Sequence, residues 1–403
     1  MSRAYAVWVE IALDITGIAH GGVSVARHDG KVVFVADTLP GERVLARVTE
    51  DKKSFARAVA LEVLEPSADR VPHVWSEASI ERDPAHRAGG AEFGHIALGR
   101  QRELKREVLV DALRRFAGVE RDVAVEAVPG DDEAGGLRWR TRVSLHVDPA
   151  GTPGPYAARS HRVVEVTDLP LADAAIAGVL EERFAGEERI DVIATSSGLR
   201  LVIGEQKPSV MSERAGGREF RVDDTGFWQV HHSAAEVLHA ATREAIVAEV
   251  FDPNANNLDL YGGVGLLASA LTSVGGEATR VTTVESDARA SEHASDNLAE
   301  LRHATAEHAR VDRWLRDAER SGARFEGATI VLDPPRSGAG GEVATTLTRL
   351  GAAQLVYVAC DPVALARDTK TILAGGYELA RLRAFDLFPH THHVESIATF
   401  VKV

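Results

Sequence analysis

The chain of 403 residues predicts an α/β protein. A doubly wound, mainly parallel sheet is expected in its C-terminal half, with a small OB-like β-barrel and a central α+β region before it. Three observations carry this. Short β-branched runs separated by turn formers fill residues 1–65. A helix-period segment and then alternating strands occupy 66–220. Over 221–403 apolar strands alternate with helical stretches, the pattern of a sheet covered on both faces. The expected domains are therefore 1–65, 66–220 and 221–403, which suits a chain too long for one ordinary domain.

In the first region VWVEIALDI, VVFVADT, RVLARVTE and FARAVALEVLE read as strands. Gly17, Gly21-Gly22, Asp29-Gly30 and Pro40-Gly41 punctuate them, and Asp29-Gly30 marks a hairpin. Pro66-Ser67 and Pro72 form a linker. Residues 95–117 have the apolar period of an amphipathic helix, with Leu104, Val108, Ala112 and Leu113 on one face that would pack on the C-terminal domain. WRTRVSLHV and RIDVIATS are the clearest strands of the central region. NNLDLYG, TRVTTVES, ATIVLDPP and AQLVYVAC are the strands of the last.

Composition narrows the function classes. With 45% hydrophobic and 26% charged residues, the chain is ordinary for a soluble globular protein. No apolar run reaches the roughly 20 residues that span a bilayer, and MSRAYAVWVE lacks a signal-peptide core, so a cytoplasmic protein with no membrane partner is expected. The single cysteine, Cys360, excludes a disulfide framework and a multi-cysteine metal site. The net charge of −14 has the wrong sign for phosphate contacts, although a basic groove can sit on an acidic protein.

A cofactor loop follows the strand Leu258-Asp259-Leu260-Tyr261. Gly262-Gly263-Val264-Gly265 lets the backbone turn tightly and approach a ligand. NAD, FAD and S-adenosylmethionine all fit this loop. Glu285, about 20 residues on at the end of the next strand, stands where an acid binds ribose hydroxyls. Asp333-Pro334-Pro335-Arg336 after Ile330-Val331-Leu332 decides for S-adenosylmethionine, because an apolar strand running into Asp-Pro-Pro is a methyltransferase pattern. Prolines stiffen that turn. An aromatic residue after Pro-Pro would stack on a base in an amino-methylating enzyme; Arg336 argues against that chemistry.

Methylating C5 of uracil needs a thiolate that adds to C6 and a base that removes the C5 proton. Cys360 ends the strand Val356–Ala359, where α/β active sites lie, and the helix that follows should favour its thiolate. Glu395, in Phe388-Pro389-His390-Thr391-His392-His393-Val394-Glu395, would accept the proton. The three histidines lack a helical ligand spacing, and no metal is expected.

These segments resemble the bacterial 5-methyluridine RNA methyltransferases that act on tRNA or large-subunit rRNA. VACDPVALARD resembles their nucleophile motif and FPHTHHVE their general-base motif; LDPPRSG and LDLYGGVG match two further methyltransferase motifs. Phe227-Trp228-Gln229-Val230 resembles the segment whose Gln contacts cofactor and base. The resemblance implies a Rossmann-like class I methyltransferase domain and an RNA partner. It also implies Cys360 and Glu395 as catalytic groups. Gln229, Tyr261, Gly263, Gly265, Glu285 and Asp333 would bind S-adenosylmethionine. Residues 1–65 are similar to a TRAM domain through Gly21-Gly22, Phe34-Val35 and Pro40-Gly41-Glu42. Their 8 Lys+Arg against 9 Asp+Glu do not make a basic module. Arg138, Arg140, Arg142, Arg159 and Arg162 are the better electrostatic candidate for RNA.

The chain departs from the family in several places. Many relatives hold an iron–sulfur cluster on four cysteines. Here Ala88 and Ala91 replace two of them and Leu169 a further one, so no iron–sulfur cluster is expected. His231, Leu266 and Asp361 each stand where relatives carry Asn, and a carboxylate at 361 should raise the thiol's pKa unless it faces away. These changes and the acidic charge point to an alternative, a catalytically inactive RNA-binding protein on a methyltransferase scaffold. The retention of Cys360, Glu395, Asp333 and Gln229 points to an active enzyme.

Overall fold

A computed structural model describes residues 9–195 and 198–403. Five strands, β1 (Glu10–Ala19), β2 (Val23–His28), β3 (Lys31–Ala36), β4 (Arg43–Asp51) and β5 (Phe55–Glu65), close into a barrel in the order β1-β2-β3-β5-β4. Alternate residues point inward, and small ones such as Ala26, Ala46 and Ala58 let so narrow a barrel fill its interior. Asp29 and Gly30 both have positive φ, 48° and 79°, which matches the twist of the β2–β3 hairpin. The sequence reading omits β2, whose Ser24, Arg27 and His28 dilute its apolar pattern.

The predicted helix begins at Leu98, three residues later than expected. α1 (Leu98–Ala112) continues through a π-helical turn, Leu113–Ala117, and stops at Gly118 with φ 68°. Leu104, Ala112 and Leu113 are buried as expected, but Val108 is only half-buried. Lys105 takes an inward position instead. Its ammonium lies 2.5 Å from Asp386 Oδ1 and donates to Phe388 O at 3.0 Å.

After β6 (Val125–Ala127) come β7 (Arg142–Val147), β8 (Pro153–Gly154), α2 (Ala174–Ala177), β9 (Arg189–Thr195), β10 (Gly198–Ile203), β11 (Val210–Ala215) and β12 (Arg218–Asp223). Strands β10-β9-β7-β8 form one sheet and β11-β12 a hairpin. Trp75, Trp139, Leu145 and Ile190 center the core of this region.

The last part contains α3 (Ala234–Ala245), β13 (Asn257–Leu260), α4 (Leu266–Gly275), β14 (Val281–Glu285), α5 (Ala288–Asn297), β15 (Ala304–His308), α6 (Val311–Arg320), β16 (Thr329–Leu332), α7 (Gly341–Leu350), β17 (Gln354–Ala359), α8 (Pro362–Ala374), β18 (Tyr377–Asp386) and β19 (Glu395–Lys402). Its sheet runs β15-β14-β13-β16-β17-β19-β18-β6, so the short β6 from the preceding region extends it. Strands β13 to β17 are parallel, and β19 is antiparallel to both β17 and β18. The strand order reverses between β13 and β16, which opens a crevice beyond their C-terminal ends. Among the described residues no helix is long and apolar enough to cross a membrane.

Candidate active site

A cleft of ≈ 1100 Å³ occupies that crevice. Such a volume exceeds what one small ligand fills, leaving room for a cofactor beside a base. Gln229, Tyr261, Gly263, Glu285, Asp333, Cys360 and Glu395 all line it. Gly265 does not. It is the left-handed cap of α4, φ 92°, packed against Leu298, and so shapes the loop from behind. Tyr261 holds φ 60°, uncommon for an aromatic residue, as the chain leaves β13. The steric demand falls on Gly262, which the motif reading passes over. A Cβ there would stand 1.8 Å from Thr283 Oγ1 and 2.8 Å from Asp259 Oδ2. At Gly263 a Cβ would meet nothing within 4 Å, so that position leaves open space.

Glu285 ends β14 with its carboxylate already engaged. Oε2 accepts from Gly263 N at 3.0 Å, and Oε1 from Asp287 N at 2.7 Å and Ser286 Oγ at 3.1 Å. A carboxylate has about four acceptor sites, so capacity remains for a ligand hydroxyl. Behind it Asp259 is buried and pushed up to about 7 by burial, although Ala268 N and Thr283 Oγ1 donate to its Oδ2.

The antiparallel register of β19 creates the reactive pair. Ala359 lies opposite Ser396, which sets Glu395, the first residue of β19, beside Cys360 at the C-terminal end of β17. Burial pushes the Cys360 thiol up to about 12, and the charges of Glu395 and Asp333 add to this while Arg336 opposes it. Burial likewise raises Glu395 well above the ordinary carboxylate range and Asp333 to about 7. The expectation that the helix after Cys360 favours a thiolate is therefore corrected. Asp361 takes the helix terminus itself, its Oδ1 accepting from Val363 N at 3.0 Å and Ala364 N at 2.8 Å. Its Oδ2 meets His20 Nε2 of the barrel at 2.8 Å. Burial works to raise the Asp361 carboxyl, but the His20 and amide hydrogen bonds outweigh it and hold it low.

The other departures also lie away from the cleft wall. His231 is buried, stacked on Trp139, with Nε2 3.0 Å from Asp131 Oδ2. Leu266 packs in the core. His390 is held by Gln101 and Gly135 O, while His392 contacts the carboxylate of Glu92. His393 faces the cleft, and burial pushes it down to about 4. Glu92, His392 and His393 bring ligand-type atoms within 4.8 Å of one another, a grouping invisible in the HTHH spacing. The barrel presses on the same loops, since a Cβ on Gly22 would stand 2.6 Å from His392 Cβ.

Comparison with known proteins gives these features a common origin. The family profile described as tRNA (uracil-5-)-methyltransferase matches residues 185–403, more than half the chain. The chain belongs to this family. A TRAM domain profile matches residues 9–61, the barrel. The chain is 40% identical to a Streptomyces avermitilis protein described only as an RNA methyltransferase, over 96% of this chain and 97% of that one. It is 29% identical to the 23S rRNA (uracil(1939)-C(5))-methyltransferase RlmD of Vibrio parahaemolyticus, over 97% and 96%. Its fold matches that of the Pyrococcus abyssi tRNA (uracil-54, C5)-methyltransferase, solved with S-adenosyl-L-homocysteine. The TM-score is 0.71 at 21% identity, covering 97% of this chain and 100% of that one.

The protein is thus an S-adenosylmethionine-dependent RNA uracil-C5 methyltransferase. The cleft fits that methyl donor: the open space at Gly263 lies beside the Glu285 carboxylate. Ala88, Ala91 and Leu169 are packed in one apolar core, and Cys360 is the only thiol, so an iron–sulfur cluster has no ligands. Of the arginine set, Arg138 is neutralised by Asp168, with Nη2 2.6 Å from Oδ2. Arg140 reaches the cleft, and Arg159 and Arg162 are exposed. The sequence reading missed the Asp223–Arg289–His293 cluster, which ties β12 to α5 along the cleft wall. Arg289 and His293 share one face of α5, but Asp223, which joins them, comes from β12 some 66–70 residues earlier in the chain, so no local pattern marks the cluster.

Proposed function

We propose that this methyltransferase acts on a uridine of tRNA or large-subunit rRNA through a covalent bond between Cys360 Sγ and C6 of the base. The observation that carries the proposal is the β17–β19 register, which puts a lone cysteine and a buried carboxylate side by side in the cleft that holds Glu285. S-adenosylmethionine supplies an electrophilic methyl group. Cys360 Sγ adds to C6 as its proton passes to a cleft carboxylate other than Glu395, which returns it when the thiol is released. C5 becomes an enolate carbon able to accept a methyl group, whose donor would depart as S-adenosylhomocysteine. Glu395 then removes the C5 proton, and the C6–S bond breaks to regenerate the cysteine. A desolvated carboxylate with a raised pKa is a stronger base than one in water, which suits a carbon acid.

RNA containing 5-fluorouridine tests this, because fluorine at C5 cannot leave as a proton and the adduct is trapped. The wild type should give a protein–RNA band on a denaturing gel. Cys360→Ala should give none while keeping its affinity for S-adenosylmethionine. With ordinary RNA, Glu395→Gln should accumulate a methylated adduct. A folded Cys360→Ala protein that still methylates uridine would overturn the mechanism. Mass-spectrometric mapping of 5-methyluridine in tRNA and rRNA from a deletion strain identifies the substrate.

A further inference from the structure

Glu395 begins β19, directly after the loop 387–394 that returns from β18. Phe388, Thr391 and His393 of this loop line the cleft with it. The loop has no helix or strand of its own. His390 within it sits at φ 63°, a left-handed conformation uncommon outside glycine, so its surroundings must hold it there.

Those surroundings come from the region before the catalytic domain. Gln101 and Lys105 are one helical turn apart on α1, share a face and are both buried. Gln101 Oε1 accepts from His390 N at 2.7 Å, while Nε2 donates to Ile96 O at 2.7 Å and lies 3.0 Å from His390 Nδ1. Lys105 Nζ donates to Phe388 O at 3.0 Å. The same carbonyl accepts from Thr391 N at 3.1 Å and Thr391 Oγ1 at 2.8 Å, which closes the turn of the loop. Lys105 therefore ties that turn to α1, and Asp386 Oδ1, 2.5 Å from Nζ, neutralises its charge. His390 O accepts from Phe93 N at 2.9 Å, and His390 Nε2 lies 2.8 Å from Gly135 O. A Cβ on Gly136 would stand 2.9 Å from His390 Nε2 and 2.9 Å from Pro389 Cβ, so the loop is also packed against backbone.

We propose that Gln101 and Lys105 are positioning residues for Glu395: α1 fixes the loop 387–394 so that the carboxylate at its end meets the C5 proton. The inference rests on the reading of Glu395 as the base. Among the described residues neither side chain hydrogen-bonds to Cys360 or Glu285, which stand at the ends of other strands. Their loss therefore falls on the elimination step, while thiol addition and cofactor binding persist. A carboxylate displaced by about 1 Å loses on the order of a hundredfold in proton transfer.

The test uses the full chain, methyl-labelled S-adenosylmethionine and ordinary cellular tRNA and rRNA. Glu395→Gln sets the reference, a labelled protein–RNA band that survives denaturation. Lys105→Met and Gln101→Met should each accumulate the same band. Their kcat should fall about a hundredfold, with S-adenosylmethionine affinity by calorimetry within about twofold of wild type. A merely structural role would instead lower cofactor affinity and the band together, and that result overturns the proposal. Lys105→Met leaves the Asp386 carboxylate buried and unpaired. The double variant Lys105→Met/Asp386→Leu removes both charges, so it should recover stability in denaturant titration and still accumulate the band. It decides the matter if the single variant fails to fold. Wild-type turnover without a band, in the double variant or in folded Gln101→Met, overturns the proposal. Absence of the band in Glu395→Gln would sink the base assignment itself, so the two failures are distinct.

Discussion

Cys360 is the only cysteine, so a thiol reagent reports on the reactive site alone. Its thiol is displaced from an ordinary 9.0 to about 12, first by burial and then by Glu395 and Asp333. At pH 8 the thiolate fraction falls from about one in ten to about one in ten thousand. A more basic thiolate is a better nucleophile, with a Brønsted slope of about 0.4–0.5, which recovers about 15- to 30-fold. Cys360 should therefore exchange with a chromogenic aryl disulfide about 30- to 60-fold more slowly than the same thiol in the urea-unfolded chain, before any steric effect. The logarithm of the rate should climb with unit slope through pH 10. Glu395→Gln removes a like charge and should shift the curve to lower pH. A folded wild type that reacts as fast as the unfolded chain at pH 8, or that levels off below pH 9, would refute this reasoning. It would mean that the terminus of α8 governs the thiol despite the Asp361 cap.

Three other perturbations probe the cofactor loop. Glu285→Ala should weaken S-adenosylmethionine binding by about 1.5–3 kcal/mol, the worth of a charge-assisted hydrogen bond; unchanged affinity by calorimetry would remove Glu285 from the site. Gly262→Ala drives a Cβ to 1.8 Å from Thr283 Oγ1 and should cost about 1–3 kcal/mol of stability by denaturant titration. Adding Thr283→Ala should recover part of that loss, and no loss in the single variant would contradict the packing. Asp259 carries a folded-state pKa of about 7, above its unfolded value. Its contribution to stability is thus full below about pH 4 and is lost as pH rises through 7. Asp259→Asn should flatten the decline in denaturant midpoint over that window, and equal slopes for both proteins would disprove it.

Much of this protein is legible in its sequence because the signals are local. Asp29-Gly30 requires two residues of positive φ and a hairpin appears there. Leu258 and Leu260, Ile330–Leu332 and Val356–Ala359 are apolar because parallel central strands are buried on both faces, and each run leads to a residue in the cleft. Motif order, the cofactor class and the single thiol could all be read without coordinates. The departures from the family could be seen but not weighed. Whether Asp361 faces the thiol or caps α8 depends on a rotation that no spacing encodes. The partner of His231, Asp131, lies 100 residues away in the chain.

What only the tertiary structure decided is non-local. Lys105 reads as a solvated lysine, yet it is buried because Asp386, 281 residues on, pairs with it. β6 is three residues long, too short for any period to show, and is a strand because β18 offers an unpaired edge. Gly262 looks like any glycine of its loop until β14 brings Thr283 against it. The sequence determined that a cysteine and a glutamate were present in the right motifs. The antiparallel return of β19 beside β17 brought them together. Burial in a common cleft then set their proton affinities, because a carboxylate or thiolate withdrawn from water is destabilised by its surroundings rather than by its neighbours in the chain.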